Sequence, residues 1–340
     1  MPTRLAAFAL TFGIAALSGY LLVTGRDLLV PFAIAVMVWY LINALKRSIE
    51  RRLGARGWIA MTLSIVVLIG AIALVAQLIS GSISAVSAAA PAYQENIQRM
   101  LTRGMALFGM AEMPSFQQLT EQFDVRAFIG GVASAVADVA GNTGLILIYV
   151  TFLLVEQRTF GPKLRALFPD PEREREVQAV LLDIQRRFQT YVAVKTSLSV
   201  LTGVFSYIVL VAVGVDLAAF WAFLIFLLNY IPTIGSLLGV LFPALLTIVQ
   251  FGTPLPFLIV AVGLGAAQFV IGNVLEPRLM GKSLNLSPLV VIISLAVWGS
   301  IWGVTGMFLS VPMTVALMIV LAEFPQTRPI AILLSADGKV

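Results

Sequence analysis

The sequence predicts an all-α protein that crosses a membrane many times. Of its 340 residues, 59% are hydrophobic and 11% are charged, whereas soluble domains are about 25% charged. The mean hydropathy is +0.98. Apolar runs of roughly 20 residues, the length that one α-helix needs to cross a bilayer, recur along the chain. These observations indicate a polytopic helical membrane protein.

The spans follow in order from the apolar runs. Six runs are Leu5–Val23, Leu28–Leu45, Trp58–Ile79, Thr143–Val155 with the residues before it, Leu198–Gly214 and Pro256–Leu275. Two further apolar segments, 217–251 and 286–322, are interrupted by glycine and proline. We expect about eight transmembrane helices, including these two broken hairpin units, each re-entrant or fully spanning. Another span follows Leu5–Val23 at once, so we interpret it as a retained helix and not a signal peptide.

The predicted domains follow from these spans. In order they are N-terminal transmembrane helices 1–3 (1–79), an extracytoplasmic helical segment (80–142), transmembrane helix 4 (143–156), a cytoplasmic amphipathic segment (157–196), a C-terminal transport core with broken helices (197–324) and a cytoplasmic tail (325–340). The segment 80–142 is interpreted as an amphipathic arm on the outer face, with an oligomerisation element or a substrate-capture lid as alternatives.

Basic residues predict the orientation, because cytoplasmic loops are enriched in Lys and Arg. The loop 46–57 carries five basic residues and 156–196 carries eight. With both on one side, 18 of the 22 basic residues are cytoplasmic, and the four outside are Arg26, Arg99, Arg103 and Arg126. Both termini are then predicted to be cytoplasmic.

The segment 169–192 predicts an amphipathic helix. Asp170 is a candidate N-cap and Pro171 suits the first helical position. One apolar stripe runs along the helix, formed by Val177, Val180, Leu181, Ile184 and Phe188. We expect a helix on the membrane surface or, alternatively, a coupling or gating helix between two moving halves.

Missing residue types exclude several kinds of chemistry. The chain has no Cys and no His, which excludes disulfides, His/Cys zinc sites, cysteine nucleophiles and Ser-His-Asp triads. The basic residues flank apolar spans and form no patch on a soluble module, so nucleic acid is not an expected partner. We expect no enzymatic activity, no cofactor and no metal.

The first broken unit supplies candidate substrate-path residues. Pro232 removes a backbone donor and pushes the preceding residue out of helical conformation. Freed carbonyls around 228–231 and free N–H groups around 233–236 are expected to face each other across the break, where they suit hydroxyl-rich or ionic ligands. The candidates are Asn229, Tyr230, Pro232, Thr233, Gly235 and Pro243. The alternative is a structural kink between packed helices.

The second broken unit has a similar plan. Its candidates are Trp298, Gly299, Trp302, Gly303, Gly306 and Pro312. The three glycines are expected on one helical face, which is typical of tight helix packing. The two tryptophans suit an interfacial belt or, alternatively, stacking against a sugar-like ring. Pro312 is expected to kink this unit as Pro243 kinks the first.

The helix between the units adds polar candidates. Gln268 and Asn273 are substrate-path candidates, although five residues apart they match one helical face poorly. Glu276 is a candidate coupling carboxylate, or it holds a gate closed against Arg278 or Lys282. The alternative for this group is an inner helix end anchored near the headgroups.

Three motifs resemble the autoinducer-2 exporter family of bacterial membrane proteins. They are Asn229-Tyr-Ile-Pro-Thr-Ile-Gly235 followed by Pro243, Glu276-Pro-Arg-Leu-Met-Gly-Lys-Ser running on to Leu286-Ser-Pro288, and the segment Trp298–Pro312. The resemblance implies roughly eight transmembrane helices, a homo-oligomer in the bacterial inner membrane, and export of small polar molecules such as autoinducer-2, a quorum-sensing signal. It also implies sodium/proton antiport as an alternative, because that activity is associated with some relatives.

The charge distribution favours an exporter of a small polar solute. From Thr196 to Leu275 the only charged residue is Asp216, and from Ser283 to Ala322 there is none. Antiporters generally place acids within their spans. We therefore expect a neutral polar pathway that works by alternating access, with the broken units holding the solute against an N-terminal scaffold. The alternatives are a sodium/proton antiporter that uses Glu276 and Asp216, and an oligomeric channel or membrane scaffold.

Overall fold

Helices make up nearly all of the regular structure in the computed structural model. It describes residues 16–74, 141–280 and 285–339, and the single positions Gly13, Gln77, Leu78, Gly81, Tyr93, Glu95, Asn96 and Arg99. Most of the predicted span Leu5–Val23 and of the segment 80–142 lies outside the described residues. Residues 16–24 are helical.

The helices are numbered α1 to α10 in chain order. They are α1 Arg26–Leu53, α2 Gly57–Leu74, α3 Thr143–Glu156, α4 Phe160–Leu167, α5 Pro171–Val213, α6 Ala218–Leu228, α7 Ile234–Phe251, α8 Pro254–Met280, α9 Pro288–Glu323 and α10 Arg328–Leu334. A π-helical turn, Ile271–Leu275, interrupts α8.

The prediction of a polytopic all-α membrane protein is confirmed. Within the described residues, six helices are long and apolar enough to cross a membrane, or seven if α3 and α4 form one span bent by 67°. The helix α6 has only 11 residues, or about 16 Å at 1.5 Å per residue. This is about half of the roughly 30 Å hydrocarbon core, so α6 does not span alone.

The amphipathic segment and the next span form one helix, contrary to the expectation of a separate surface helix. The helix α5 has 43 residues, or about 65 Å, so it is about twice as long as a bilayer core is thick. Asp170 caps its first turn as predicted, since its carboxylate accepts from the Glu172 N–H at 3.1 Å. The expected apolar stripe lies against protein: Ile184 and Phe188 share a narrow gap with Pro312 of α9.

The described chain divides into two compact units. The first comprises Met1–Ala44, Asp138–Val192 and Lys282–Val340. Aromatic contacts join its helices: Tyr40 of α1 packs on Phe188 of α5 with ring centroids 4.7 Å apart. The Trp39 indole also donates to the Gln157 side chain at 2.9 Å. Both contacts involve α1, which they join to α5 and to the end of α3.

The second unit comprises Leu45–Ala137 and Ala193–Gly281. Its core contains Leu210 of α5, Trp221 and Ile225 of α6, and Val260 and Leu264 of α8, all buried. The helix α7 packs against both α6 and α8. Three helices and the second half of α5 therefore enclose the first break.

A polar network closes the end of this unit at the 214–216 turn. The Tyr93 hydroxyl donates to the Asp216 carboxylate at 2.8 Å, and the Gln250 amide bonds both the Asp216 N–H and the Gly214 carbonyl at 2.9 Å. The Asn96 amide donates to the Gln250 carbonyl at 2.6 Å. Burial and the Asp216 carboxylate both raise the pKa of the Tyr93 hydroxyl.

Candidate substrate path

The first break lies between α6 and α7, where it was predicted. Residues 229–233 form turns, and Thr233 has φ +62°, a left-handed value that a branched residue rarely adopts. Thr233 is exposed, Pro232 is half-buried, and Asn229 and Tyr230 are buried. The break therefore turns two polar side chains into the second unit.

The expected free backbone groups are largely paired with each other. The Ile231 N–H donates to the Leu228 carbonyl at 2.8 Å, the Gly235 N–H to the Ile231 carbonyl at 3.1 Å, and the Ile234 N–H to the Pro232 carbonyl at 2.6 Å. The expectation of facing unpaired carbonyls and N–H groups is wrong at these positions, because the turn is tight enough to close its own hydrogen bonds. Side chains are thus better candidates for solute contact than these backbone groups.

Gly235 permits this tight turn. A Cβ at this position would lie 1.7 Å from the Leu228 carbonyl oxygen. In the next turn of α7, a Cβ on Gly239 would lie 3.3 Å from the Ile225 side chain. The start of α7 therefore packs directly on the end of α6, and only glycine fits at 235.

The second break lies in the first unit, at Gly303. This residue has φ +63° and ψ −142° inside α9, a conformation that is essentially restricted to glycine. A Cβ on Gly306 would lie 1.9 Å from the Trp298 carbonyl oxygen, and one on Gly299 would lie 2.9 Å from the Met307 side chain. The expectation of three glycines on one helical face is wrong, because the helix breaks at the middle one and folds back.

The two tryptophans are held by the first unit itself. The Trp298 indole donates to the Thr314 hydroxyl at 3.1 Å, and the Trp302 indole donates to the Leu22 carbonyl at 3.0 Å. Their ring centroids are 5.5 Å apart. Trp302 is buried, which argues against an interfacial belt and leaves its ring little surface for stacking on a solute.

The two predicted kink prolines lie inside helices. Pro243 of α7 and Pro312 of α9 are both fully buried. The non-helical residue of α9 is Gly303, nine positions before Pro312. Gly303 therefore breaks α9, and the turn at 229–233 separates α6 from α7. Neither proline causes these breaks. Pro243 still has a local effect, since it cannot supply the N–H that would normally bond the Gly239 carbonyl.

A buried polar stripe on α5 faces the interior of the second unit, and the sequence reading missed it. Its members are Lys195, Ser199, Thr202 and Ser206, each at most 5% exposed. Their spacing of four, three and four residues places them on one helical face. That spacing is visible in the sequence and indicates a polar helical face. Because Lys195 is basic and borders an apolar run, it is instead assigned to the cytoplasmic segment in the sequence-based prediction. We call these four residues the polar seam.

The polar seam and the adjacent Thr196 bind three predicted site residues. The Asn229 amide donates to the Ser199 hydroxyl at 3.0 Å, and the Tyr230 hydroxyl shares a 2.6 Å hydrogen bond with Thr196, beside the seam. The Lys195 ammonium donates to the Glu276 carboxylate at 2.6 Å. The structure thus places Asn229, Tyr230 and Glu276 around one stretch of α5.

The partner of Glu276 differs from the expected one. The sequence suggested Arg278 or Lys282, but Glu276 pairs with Lys195, 81 residues away along the chain. Arg278 is exposed, and Lys282 lies outside the described residues. Burial explains why Glu276 pairs with Lys195 and not with Arg278. A buried ammonium without a counter-charge is costly, whereas an exposed arginine is solvated by water.

Gln268 is buried in the second unit with an unpaired donor. Within the described chain its amide nitrogen is buried without a hydrogen-bond partner, and it lies 3.5 Å from the position of a Cβ on Gly239. Asn273 is exposed and does not join it. A buried unpaired donor is costly, so Gln268 points to an unfilled interaction.

The sequence of this chain is similar to those of known proteins over most of its length. A family model described as AI-2E family transporter matches residues 5–326. A putative transport protein of Haemophilus influenzae is 31% identical over 319 residues, which cover 91% of this chain and 90% of that relative. The AI-2 transport protein TqsA of Escherichia coli is 29% identical over 318 residues, covering 92% and 91%. The putative transport protein YhhT of Escherichia coli is 30% identical over 302 residues, covering 85% and 82%.

Proposed function

The chain belongs to the AI-2E transporter family, and we propose that it exports a small polar solute of the autoinducer-2 kind by alternating access. Its family is one of transporters and not of enzymes. The proposal extends to this chain what the name of TqsA says of that relative. The solute site is assigned to the second unit, beside Asn229 and Gln268.

The observation that carries the proposal is the buried, unpaired amide nitrogen of Gln268 in the second unit. Its nitrogen is a donor, so the group it lacks is an acceptor oxygen. Gly239 lies beside Gln268, and Pro243 cannot supply the N–H that normally bonds the Gly239 carbonyl in an α-helix. A donor on Gln268 and a candidate acceptor on the neighbouring Gly239 suit a hydroxyl group, which both donates and accepts.

The charges of the second unit favour a neutral solute. Lys195 is neutralised by Glu276, and Asp216 lies at the far end of the unit beside Tyr93. Ser199 and Asn229 add uncharged hydrogen-bonding groups. Oxygen-rich, uncharged solutes, to which furanosyl compounds belong, suit this lining better than inorganic ions.

The wider setting belongs to the same proposal. We assign the chain to the bacterial inner membrane as a multi-pass homo-oligomer with both termini cytoplasmic. The bias of Lys and Arg supports this orientation. The end of the second unit that holds Lys195 and Glu276 is then the inner end.

A second candidate function is sodium/proton antiport, and one observation favours it. Glu276 is a partly buried carboxylate near the end of a candidate spanning helix, where it pairs with the buried Lys195, and carboxylates in spanning segments often carry protons in transporters. Against it, α6 and α7 contain no charged residue. Antiport is therefore ranked below solute export.

Transport by purified protein in proteoliposomes tests the proposal. Gln268→Leu and Asn229→Ala each remove a solute contact, so we expect at least a tenfold loss of uptake of an autoinducer-2-type solute, with normal insertion. Gln185→Leu on α5 is the matched control and should transport normally. Pro232→Ala, which favours a continuous helix, should also lose transport. Full activity of the Gln268→Leu and Asn229→Ala variants would move the site away from the second unit.

A further inference from the structure

The Lys195–Glu276 ion pair of the second unit has a buried lysine and a partly buried glutamate, unlike the exposed Lys163–Glu156 pair. The Lys195 and Glu276 side chains are 6% and 24% exposed and 2.6 Å apart. The Lys163–Glu156 pair of the first unit has side chains 64% and 49% exposed. Exposed pairs contribute little, whereas separating a buried pair leaves an uncompensated charge. Separation of this pair would leave the Lys195 ammonium buried without a counter-charge.

The π-helical turn of α8 determines where Glu276 points. An α-helix rotates by about 100° per residue, so eight residues would leave Glu276 about 80° from the face of Gln268. The turn Ile271–Leu275 holds one extra residue, and the Glu276 N–H bonds back to the Ile271 carbonyl. The extra residue removes most of the offset, which puts Gln268 and Glu276 on the same face.

One turn of α5 bonds both the Gln268–Glu276 face of α8 and the residues of the first break. Lys195 holds Glu276 at the end of α8, Thr196 holds Tyr230, and Ser199 holds Asn229. The three bonds lie at the same end of the polar seam. Separation of Lys195 from Glu276 would therefore open the seam next to Asn229.

We propose that Lys195 and Glu276 form a latch that closes this end of the seam, and that the π-turn releases it. Release occurs when the π-helical turn moves along α8 to a position after Glu276. The helix from Gln268 to Glu276 is then a regular α-helix, and Glu276 has rotated by about 100° away from Lys195. Gln268 precedes the turn and keeps its place. Lys195 is then a gating residue that acts on the solute site through α8. This inference rests on the proposed function for the identity of the solute, but not for the motion.

A reporter thiol measures the latch without any solute. The chain has no cysteine, so Thr202→Cys introduces one thiol at a fully buried seam position. Full-length protein in vesicles of both orientations is treated with a membrane-impermeant maleimide. We expect Lys195→Gln and Glu276→Gln each to raise the labelling rate from the Lys195 end by roughly tenfold, because the remaining charge draws in water. The swap Lys195→Glu with Glu276→Lys should restore slow labelling. Lys163→Gln, at the exposed pair, is the matched control and should change nothing.

Deletion of Gly272 tests the π-turn separately. It removes the extra residue while leaving Glu276 on the Gln268 face, so the latch is expected to stay closed. The deletion variant should label slowly and lose transport. Gly272→Ala keeps the residue count, and a Cβ there meets nothing within 4 Å, so this control should behave like the wild type.

Three results would overturn the latch. They are unchanged labelling in both Gln variants, a charge swap that stays fast, and normal transport after deletion of Gly272. If labelling follows the expected pattern but no oxygen-rich neutral solute is transported by the wild type, the latch stands and the proposed solute is wrong.

Discussion

Gly235→Ala is expected to destabilise the protein strongly, because the added methyl group meets backbone and not a movable side chain. The Cβ would lie 1.7 Å from the Leu228 carbonyl oxygen and 2.6 Å from its carbon, while contacts of a Cβ below 3.0 Å are essentially never found. The carbonyl would have to move by more than an ångström. It also accepts from the Ile231 N–H at 2.8 Å, so the movement breaks that bond.

The magnitude follows from these two terms. Overpacking costs about 1–3 kcal/mol, and a lost hydrogen bond adds about 1 kcal/mol. We expect a loss of about 3 kcal/mol or more, since the obstacle is rigid, and this corresponds to roughly a hundredfold change in the folded-to-unfolded ratio. The matched control is Gly265→Ala in α8, where a Cβ meets nothing within 4 Å. That change should stabilise by up to about 1 kcal/mol through helix propensity.

Thermal unfolding of the two variants in detergent, followed by size-exclusion chromatography, measures the difference. Gly235→Ala should lose its monodisperse peak at a clearly lower temperature than the wild type, and Gly265→Ala should not. Equal melting of Gly235→Ala and Gly265→Ala would refute the close approach of α7 to the Leu228 carbonyl. It would also remove the physical reason for glycine at the first break.

Three further predictions test the orientation, the coupling and the second break. Cysteines placed singly at Ser48 and Ser115 should label from opposite sides of the membrane, and labelling from the same side would contradict the orientation drawn from Lys and Arg. Purified wild-type protein should show no robust sodium-dependent proton flux in proteoliposomes; a clear flux that Glu276→Gln abolishes would promote antiport above solute export. Trp302→Phe should lower stability by about 1 kcal/mol, because the Leu22 carbonyl loses its donor, yet transport should persist; a transport defect at unchanged stability would return Trp302 to the substrate path.

The two breaks could be predicted from sequence because their causes are local. A proline after Asn229-Tyr-Ile and the glycines near Trp298 disfavour continuous helix whatever surrounds them. The details depend on more distant contacts. That Gly303 carries the irregular backbone while Pro312 sits inside a helix depends on how Trp298, Met307 and Thr314 pack, and no local rule ranks these alternatives.

The Lys195–Glu276 ion pair could not be predicted from the sequence, for a different reason. Lys195 and Glu276 are 81 positions apart, and each stands at the edge of an apolar run, where a basic residue ordinarily marks a cytoplasmic loop. Counting charges along the chain therefore placed Lys195 in water. Its spacing to Ser199, Thr202 and Ser206 was a usable signal, because four polar residues on one face of an apolar helix require partners. The π-turn gave no such signal, since its sequence, Ile-Gly-Asn-Val-Leu, also suits a regular helix.

The Lys195–Glu276 pair also changes what the scarcity of charged residues between Thr196 and Leu275 implies. A run of about 80 residues with one acid excludes a chain of carboxylates through α6, α7 and most of α8, and it favours a neutral solute path. It does not exclude coupling at the end of that path, because a single carboxylate that controls a gate affects every solute that passes. Opening of the Lys195–Glu276 pair and binding of a solute beside Asn229 and Gln268 are linked if the solute binds the open seam and the closed seam with different affinity. Such a linkage is reciprocal: a solute held at Gln268 must alter how firmly Lys195 holds Glu276. A change in the labelling rate of the thiol at position 202 when solute is added is the direct measure of that reciprocity. The change should be lost in the Gly272 deletion variant.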